Sequence, residues 1–206
     1  MSPSTRPSIV GSDQGPEPPY PLKMEGKVIS GFGRGSKELG IPTANLPVDS
    51  SVTSWIEDKT SGVYFGWASL LLPDTHPDRP AGSPADTPLV FPMVMSIGYN
   101  PFYKNTVRSA EVHIMHKFAA DFYGAHMRLL LLGFIRPELD YTTLEALIED
   151  INYDCVVAKN SLRRKAWAPA KDAVVTAAGE ESVEGILNVE WLTGPVPEAK
   201  PETKVE

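Results

Sequence analysis

Apolar and polar positions alternate in several short runs along the first two thirds of the chain, and one helical pattern follows them. Glu25–Gly31 alternates loosely and predicts a first strand. It leads into the glycine-rich stretch GFGRGSKELG at 31–40 and then IPTANLP at 41–47, which its prolines hold extended. Gly62–Leu72 is rich in aromatic and branched residues and predicts a strand. Residues 73–89 form a proline-rich connection, and Val90–Tyr99 resumes the strand pattern, so a long hairpin with a decorated tip is expected. Asn100–Ser109 carries an Asn-Pro turn signal. Ala110–Met115 and Met127–Ile135 predict two further strands, the second ended by Arg136, Pro137 and Glu138. Thr142 and Glu145 fit a capping box, and Leu144, Leu147, Ile148, Ile151 and Cys155 then recur at helical spacing. The spacing predicts a helix running to about Arg164. Strands followed by one helix argue for an antiparallel barrel or sandwich capped by that helix.

Proline refines the domain boundaries. Of the 20 prolines, six lie within residues 1–21, six within 73–92 and three within 195–201. The excess therefore belongs to the ends and to one loop. Residues 1–21 are expected to be a disordered leader, 22–168 the folded domain with a loop insertion at 73–89, and 169–206 an acidic, largely disordered tail. The loop at 73–89 is expected to be a decoration with no part in chemistry. Of the formal net charge of −7, residues 179–206 contribute −5, from seven glutamates and two lysines. The body at 22–168 is nearly neutral and offers no broad basic face for a nucleic-acid backbone. The single cysteine, Cys155, excludes an internal disulfide and favours a reducing compartment. No apolar run reaches the roughly 18 residues that span a bilayer, and the N-terminal stretch has no signal-peptide apolar region. A cytoplasmic protein is expected.

The stretch 31–40 is neither a Walker A motif nor a dinucleotide fingerprint. It has the ingredients of a phosphate-binding loop all the same, with glycines that expose backbone amides and the cations Arg34 and Lys37. A flexible hairpin loop with solvated cations is the plainer alternative. Thr43 and Asn45 stand two apart in an extended segment and so face one side. A hydroxyl and an amide oxygen are hard donors of the kind magnesium accepts. Satisfying a local turn is their alternative role.

Glu111 lies in an otherwise apolar run, where a carboxylate needs an explanation. Alternation puts it with His113 on one face and Val112 with Ile114 on the other. A carboxylate aimed at a hydroxyl can act as general base, worth ~10²–10⁴-fold in rate. A glutamate facing solvent on an amphipathic strand fits the pattern equally. A zinc hydrolase built from Glu111, His113, His116 and Asp121 is the competing chemistry. Its spacing matches no zinc motif. No G-x-S-x-G elbow supports a serine hydrolase.

Five strings then stand in one order: GKVISGFGRGSKELGIPTAN at 26–45, GVYFGWA at 62–68, MSIGYNPFYKNT at 95–106, EVHIMHKFAADFYG at 111–124 and GFIRPE at 133–138. Together they resemble the riboflavin kinase (flavokinase) family, over residues 24–160. The resemblance implies a mainly β fold, a six-stranded antiparallel Greek-key barrel with a C-terminal helix. It implies transfer of the ATP γ-phosphate to the 5′-hydroxyl of riboflavin, the first step of flavin cofactor biosynthesis, giving FMN and ADP. By the same resemblance Glu111 is the catalytic carboxylate. Gly31, Lys37, Thr43, Ile114, His116 and Tyr123 match nucleotide-binding positions. Thr43 and Asn45 match the magnesium pair, with zinc or another divalent ion as alternatives. Arg136 matches a position near the flavin. Tyr64, Trp67, Tyr99, Phe102 and Tyr103 are candidates for stacking on the flavin ring, with an ordinary place in the core as the alternative for each. A monomer with no obligatory protein partner is expected. The chain has no H-x-G-H motif, so FAD synthesis is not expected. The alternative function is a flavin- or nucleotide-binding barrel without catalysis.

Overall fold

The computed structural model describes residues 6–30, 40–99, 108–174 and 184–196. Six strands form one antiparallel sheet: β1 (Leu22–Lys27), β2 (Ala44–Leu46), β3 (Gly62–Leu71), β4 (Leu89–Tyr99), β5 (Arg108–Ile114) and β6 (His126–Pro137). Their spatial order is β1-β6-β3-β4-β5-β2. The two edges approach each other at a single bridge, where the Ile29 amide donates to the Asn45 carbonyl at 2.9 Å. The sheet thus curls into a half-barrel, with one main helix, α1 (Leu144–Leu162), and a short one, α2 (Glu190–Thr193). The expected six-stranded antiparallel fold with a helix is present. Among the described residues no helix is long and apolar enough to cross a membrane.

The central strands are apolar on both faces because both faces are covered. Tyr64, Ala68, Leu70, Met93, Met95, Ile97, Met127, Leu129 and Leu131 fill the concave side. Phe65, Trp67, Val90, Val94, Leu130 and Leu132 line the convex side and meet Ala158 and Leu162 of α1 with Trp167 beyond it. Phe65 stacks on Trp167 with ring centroids 5.6 Å apart, and the Trp67 indole donates to the Trp167 carbonyl at 2.8 Å. Offset stacking of this kind contributes about 0.5–1.5 kcal/mol beyond area burial. The β3–β6 ladder slips twice, at Val63/Tyr64 and Phe65/Gly66. At the second slip the strands crowd, and a Cβ on Gly66 would lie 2.0 Å from the Leu130 carbonyl oxygen.

Three expectations are corrected. The N-cap of α1 is Thr143, whose hydroxyl accepts from the Ala146 amide at 3.2 Å, so the helix starts one residue later than the Thr142–Glu145 box requires. Its buried face is Asp150, Asp154, Val157, Ala158, Ser161 and Leu162. Leu147, Ile148, Ile151 and Cys155 are only half-buried and Leu144 is exposed. The helix is turned this way because its acids meet arginines, as described below. Burial pushes the Cys155 thiol up to about 11, with Asp154 adding to the shift.

Residues 6–21, expected as a disordered leader, form a strap along α1. The Val10 amide donates to the Ser161 hydroxyl at 3.0 Å, and Arg164 reaches the Val10 and Gly11 carbonyls. The Trp167 indole donates to the Ser12 carbonyl at 2.8 Å. The tail is likewise ordered over 184–196. Leu187 bonds to the Ala168 carbonyl, Leu192 is buried, and Arg128 of β6 donates to the carbonyls of Trp191, Gly194 and Pro195. Composition identifies segments poor in apolar residues. It does not reveal that a helix and a strand end offer them polar partners. Residues 1–5, 175–183 and 197–206 lie outside the described residues.

Gly66→Ala is expected to lower the unfolding free energy by about 3 kcal/mol, from overpacking against an immobile carbonyl. Urea unfolding measures it. A loss below about 0.5 kcal/mol would contradict the close approach described here.

Candidate functional site

On β5 the burial alternates, with Arg108, Ala110, Val112 and Ile114 buried and Ser109, Glu111 and His113 half-buried. The inward set joins the concave core. Glu111 and His113 therefore share the convex face, as the alternation predicts. Glu111 is flanked by Asn45 of β2 on one side and Ser96 of β4 on the other, each directly opposite it in register. Ala44 and Leu46 point into the core, and Asn45 is only 7% exposed. An amide and a carboxylate thus stand side by side on one face at a sheet edge. Thr43, half-buried, precedes β2 by one residue and continues the Asn45 side of the strand.

The chain on both sides of the glycine-rich stretch is fixed at this place. Before it, Val28 exchanges backbone bonds with Gly124 and Ala125 at 2.8 and 2.9 Å. After it, the Pro42 carbonyl accepts from His113 Nδ1 at 2.8 Å. That bond fixes Nδ1 as the protonated nitrogen of the neutral ring. Burial pushes the His113 pKa down. The Pro42 bond opposes the shift and Lys159 of α1 adds to it. Gly31 and Lys37 lie outside the described residues.

The other nucleotide candidates occupy the same end of the barrel in unequal ways. The Ile114 side chain is in the core, so only its backbone faces outward, and its carbonyl accepts from the His116 amide at 2.8 Å. The His116 ring packs on Phe91 and Phe118, with centroids 5.0 and 4.7 Å away. Tyr123 is exposed, in the turn that bonds to Val28. The proline-rich loop docks here. Asp78 accepts from the Ala119 amide at 2.9 Å and lies 3.6 Å from His116 Nε2, while His76 Nε2 is 3.2 Å from the Ala120 carbonyl. Among the described residues no group of three or more His, Cys, Asp or Glu is placed to hold a metal ion. Glu111, His113, His116 and Asp121 thus do not assemble into the zinc site weighed above.

Arg136 is buried at the other end of the site, opposite Val63. Its guanidinium is engaged by Asp154, with Nε at 3.0 Å and a terminal nitrogen at 2.8 Å from Oδ2. Two residues on, Glu138 reaches over Gly98, where a Cβ would lie 2.1 Å from its Oε1. Burial raises the Glu138 pKa. Arg108 and Arg136 oppose the shift, and Glu111 and Asp140 add to it.

Of the aromatic candidates, Tyr64 is inside the barrel, its hydroxyl donating to the Thr60 carbonyl at 2.6 Å, and Trp67 is covered by Trp167. Neither presents a face to a ligand. Tyr99 is exposed, with the Arg108 guanidinium 4.5 Å over its ring. Phe102 and Tyr103 lie outside the described residues. Sequence reasoning missed Glu138, Asp78 and the buried acids Asp150 and Asp154. The acids left one signal, a spacing of four that puts them on one side of the helix.

A family model described as riboflavin kinase matches residues 18–162. The chain is 64% identical over 192 residues to a riboflavin kinase of Pyricularia oryzae, covering 93% of this chain and 96% of that one. It is 50% identical over 236 residues to a riboflavin kinase of Neurospora crassa, covering 93% and 98%. The crystal structure of riboflavin kinase from Trypanosoma brucei superposes with a TM-score of 0.52 at 27% identity, covering 72% of this chain and 83% of that one.

The His113 titration is expected to have its midpoint below the ordinary 6.5, because the folded state favours the neutral ring. Any stability it contributes is present above the ordinary value and lost as pH falls through the folded one. NMR titration of the ring proton reads this directly. A midpoint at or above 6.5 would contradict the desolvated placement.

Proposed function

The chain belongs to the riboflavin kinase family, the enzymes that make FMN and ADP from riboflavin and ATP, and we propose that it does so on the β2–β5 face, with Glu111 as its base. The observation that carries this assignment is the cross-strand placement of Glu111 directly beside Asn45. Both are held by a sheet rather than a loop, which favours fixed geometry at the reacting atoms.

Phosphoryl transfer asks little covalent chemistry of a protein. It asks for an oriented nucleophile, neutralised phosphate charge and exclusion of water. Glu111 is the group proposed to orient the 5′-hydroxyl of riboflavin and take its proton as the bond to phosphorus forms. Phosphate binding falls to the stretch 31–40 with Lys37, whose flanking residues are anchored at Val28 and Pro42. Ile114, His116 and Tyr123 surround the nucleotide in this reading, and Asp78 braces the segment that carries His116.

The enzymes of this family use a divalent cation. The residues on the β2 side fit a hard one: Asn45 is a buried amide beside a carboxylate, and Thr43 adds a hydroxyl. These oxygen donors suit magnesium better than zinc, which favours sulfur and imidazole. A cation held there would supply positive charge to the phosphates of the nucleotide. The near-neutral body supports small-molecule substrates rather than nucleic acid. The same reading takes residues 22–168 as the body of the catalytic unit, which the strap at 6–21 joins, working as a cytoplasmic monomer.

Label from γ-labelled ATP is expected to appear in the flavin, with ADP and FMN formed one to one. Glu111→Gln is expected to lower kcat ~10²-fold or more and leave riboflavin affinity, read by flavin fluorescence, within about twofold. Near-normal turnover would remove Glu111 as the base. Asn45→Ala is expected to raise the magnesium concentration for half-maximal rate about tenfold. An unchanged metal titration would remove Asn45 from the metal site.

A further inference from the structure

The helix α1 carries two buried acids one turn apart, Asp150 and Asp154, with side chains 5% and 2% exposed. Two arginines from different segments meet them. Arg136 holds both oxygens of Asp154 from the end of β6. Arg6, from the strap, donates to Asp154 Oδ1 at 2.7 Å and to Asp150 Oδ1 at 2.9 Å. The remaining oxygen of Asp150 accepts from the Tyr141 hydroxyl at 2.6 Å. Two positive and two negative charges therefore balance in a buried cluster, and each acid orients one residue of the segment 136–141.

Removing one partner of a buried charge cluster leaves the others uncompensated. Without Arg6, a single guanidinium would face two carboxylates one helical turn apart. The hold on Arg136 and Tyr141 would then be shared with an unpaired acid. Arg6 is itself placed with care. Its carbonyl accepts from the Tyr153 hydroxyl at 2.8 Å, and its guanidinium lies 4.9 Å over the same ring. The segment it steadies includes Glu138, which projects over Gly98.

We propose that the N-terminal strap is part of the flavin end of the site, and that Arg6 is a positioning residue acting through Asp154 and Asp150 on Arg136, Tyr141 and the chain between them. This rests on the proposed riboflavin kinase function, and on the family resemblance by which Arg136 matches a position near the flavin. Arg6 does not touch substrate. It fixes the wall against which the substrate is set.

The test is steady-state kinetics on the full chain with Arg6→Ala, Arg164→Ala and Arg136→Lys. Arg164 anchors the other half of the strap, through Val10, Gly11 and Asp13. Arg6→Ala is expected to raise the riboflavin KM about tenfold, with the ATP KM within twofold, since the loss falls on one end of the site. Added guanidinium ion is expected to restore part of that loss. Arg164→Ala is expected to lower Tm and leave the riboflavin KM unchanged. If Arg6→Ala does not fold, Arg6→Lys, which keeps the charge but loses the fork, is expected to give a smaller rise of the same selectivity. A riboflavin KM unchanged in the Arg6 variant, or raised equally with the ATP KM, would overturn the proposal. A riboflavin KM insensitive to Arg136→Lys would instead overturn the placement of the flavin end, on which the proposal stands.

Discussion

Ala44, Asn45 and Leu46 meet two requirements in three residues. Ala44 and Leu46 close the concave core at its open edge, and the Asn45 carbonyl accepts the Ile29 amide, the contact that brings the two edges of the sheet together. Alternation then leaves the Asn45 side chain on the convex face, opposite Glu111. The closure of the barrel and the pairing of the two candidate site groups are consequences of one register. A slip of a single residue would put Asn45 in the core and an apolar side chain beside Glu111. The same closure brings both flanks of the glycine-rich stretch to the site, through Val28 and through Pro42.

The convex face is divided between packing and chemistry. Further along β3, β4 and β6 it is covered by α1 and Trp167 and is apolar. Toward β5 and β2 that cover ends, and half-buried polar groups take its place. Buried charge marks the boundary. Arg136 and Arg6 meet Asp154 and Asp150 where the helix begins to cover the sheet. Each such group is hydrogen-bonded several times over, as burial of a guanidinium demands.

The strand pattern was legible because it is periodic. The apolar runs at 62–72 and 90–99 became β3 and β4, and the alternation around Glu111 placed it with His113 on the convex face. The family match covers the motifs that resemble riboflavin kinase. What failed to show was long-range polar pairing. Asp150 and Asp154 have the spacing of a solvated helix edge, and their partners Arg136, Tyr141 and Arg6, the last 148 residues away from Asp154, make them interior. The strap was obscured for the same reason, since its partners are side chains of α1 and its composition is that of a loose end. For Tyr64 and Trp67 the structure decides for the core. Aromatic character suits a core and a ligand surface equally, and only the packing around each ring decides between them.

A crystal structure of the protein with FMN, ADP and magnesium tests the central claim most directly. The account predicts the cation on the side-chain oxygens of Asn45 and Thr43, and the 5′ oxygen of the flavin within hydrogen-bonding reach of the Glu111 carboxylate. A flavin bound away from the convex face of the β2–β5 ladder, or a cation that touches neither Asn45 nor Thr43, would contradict it.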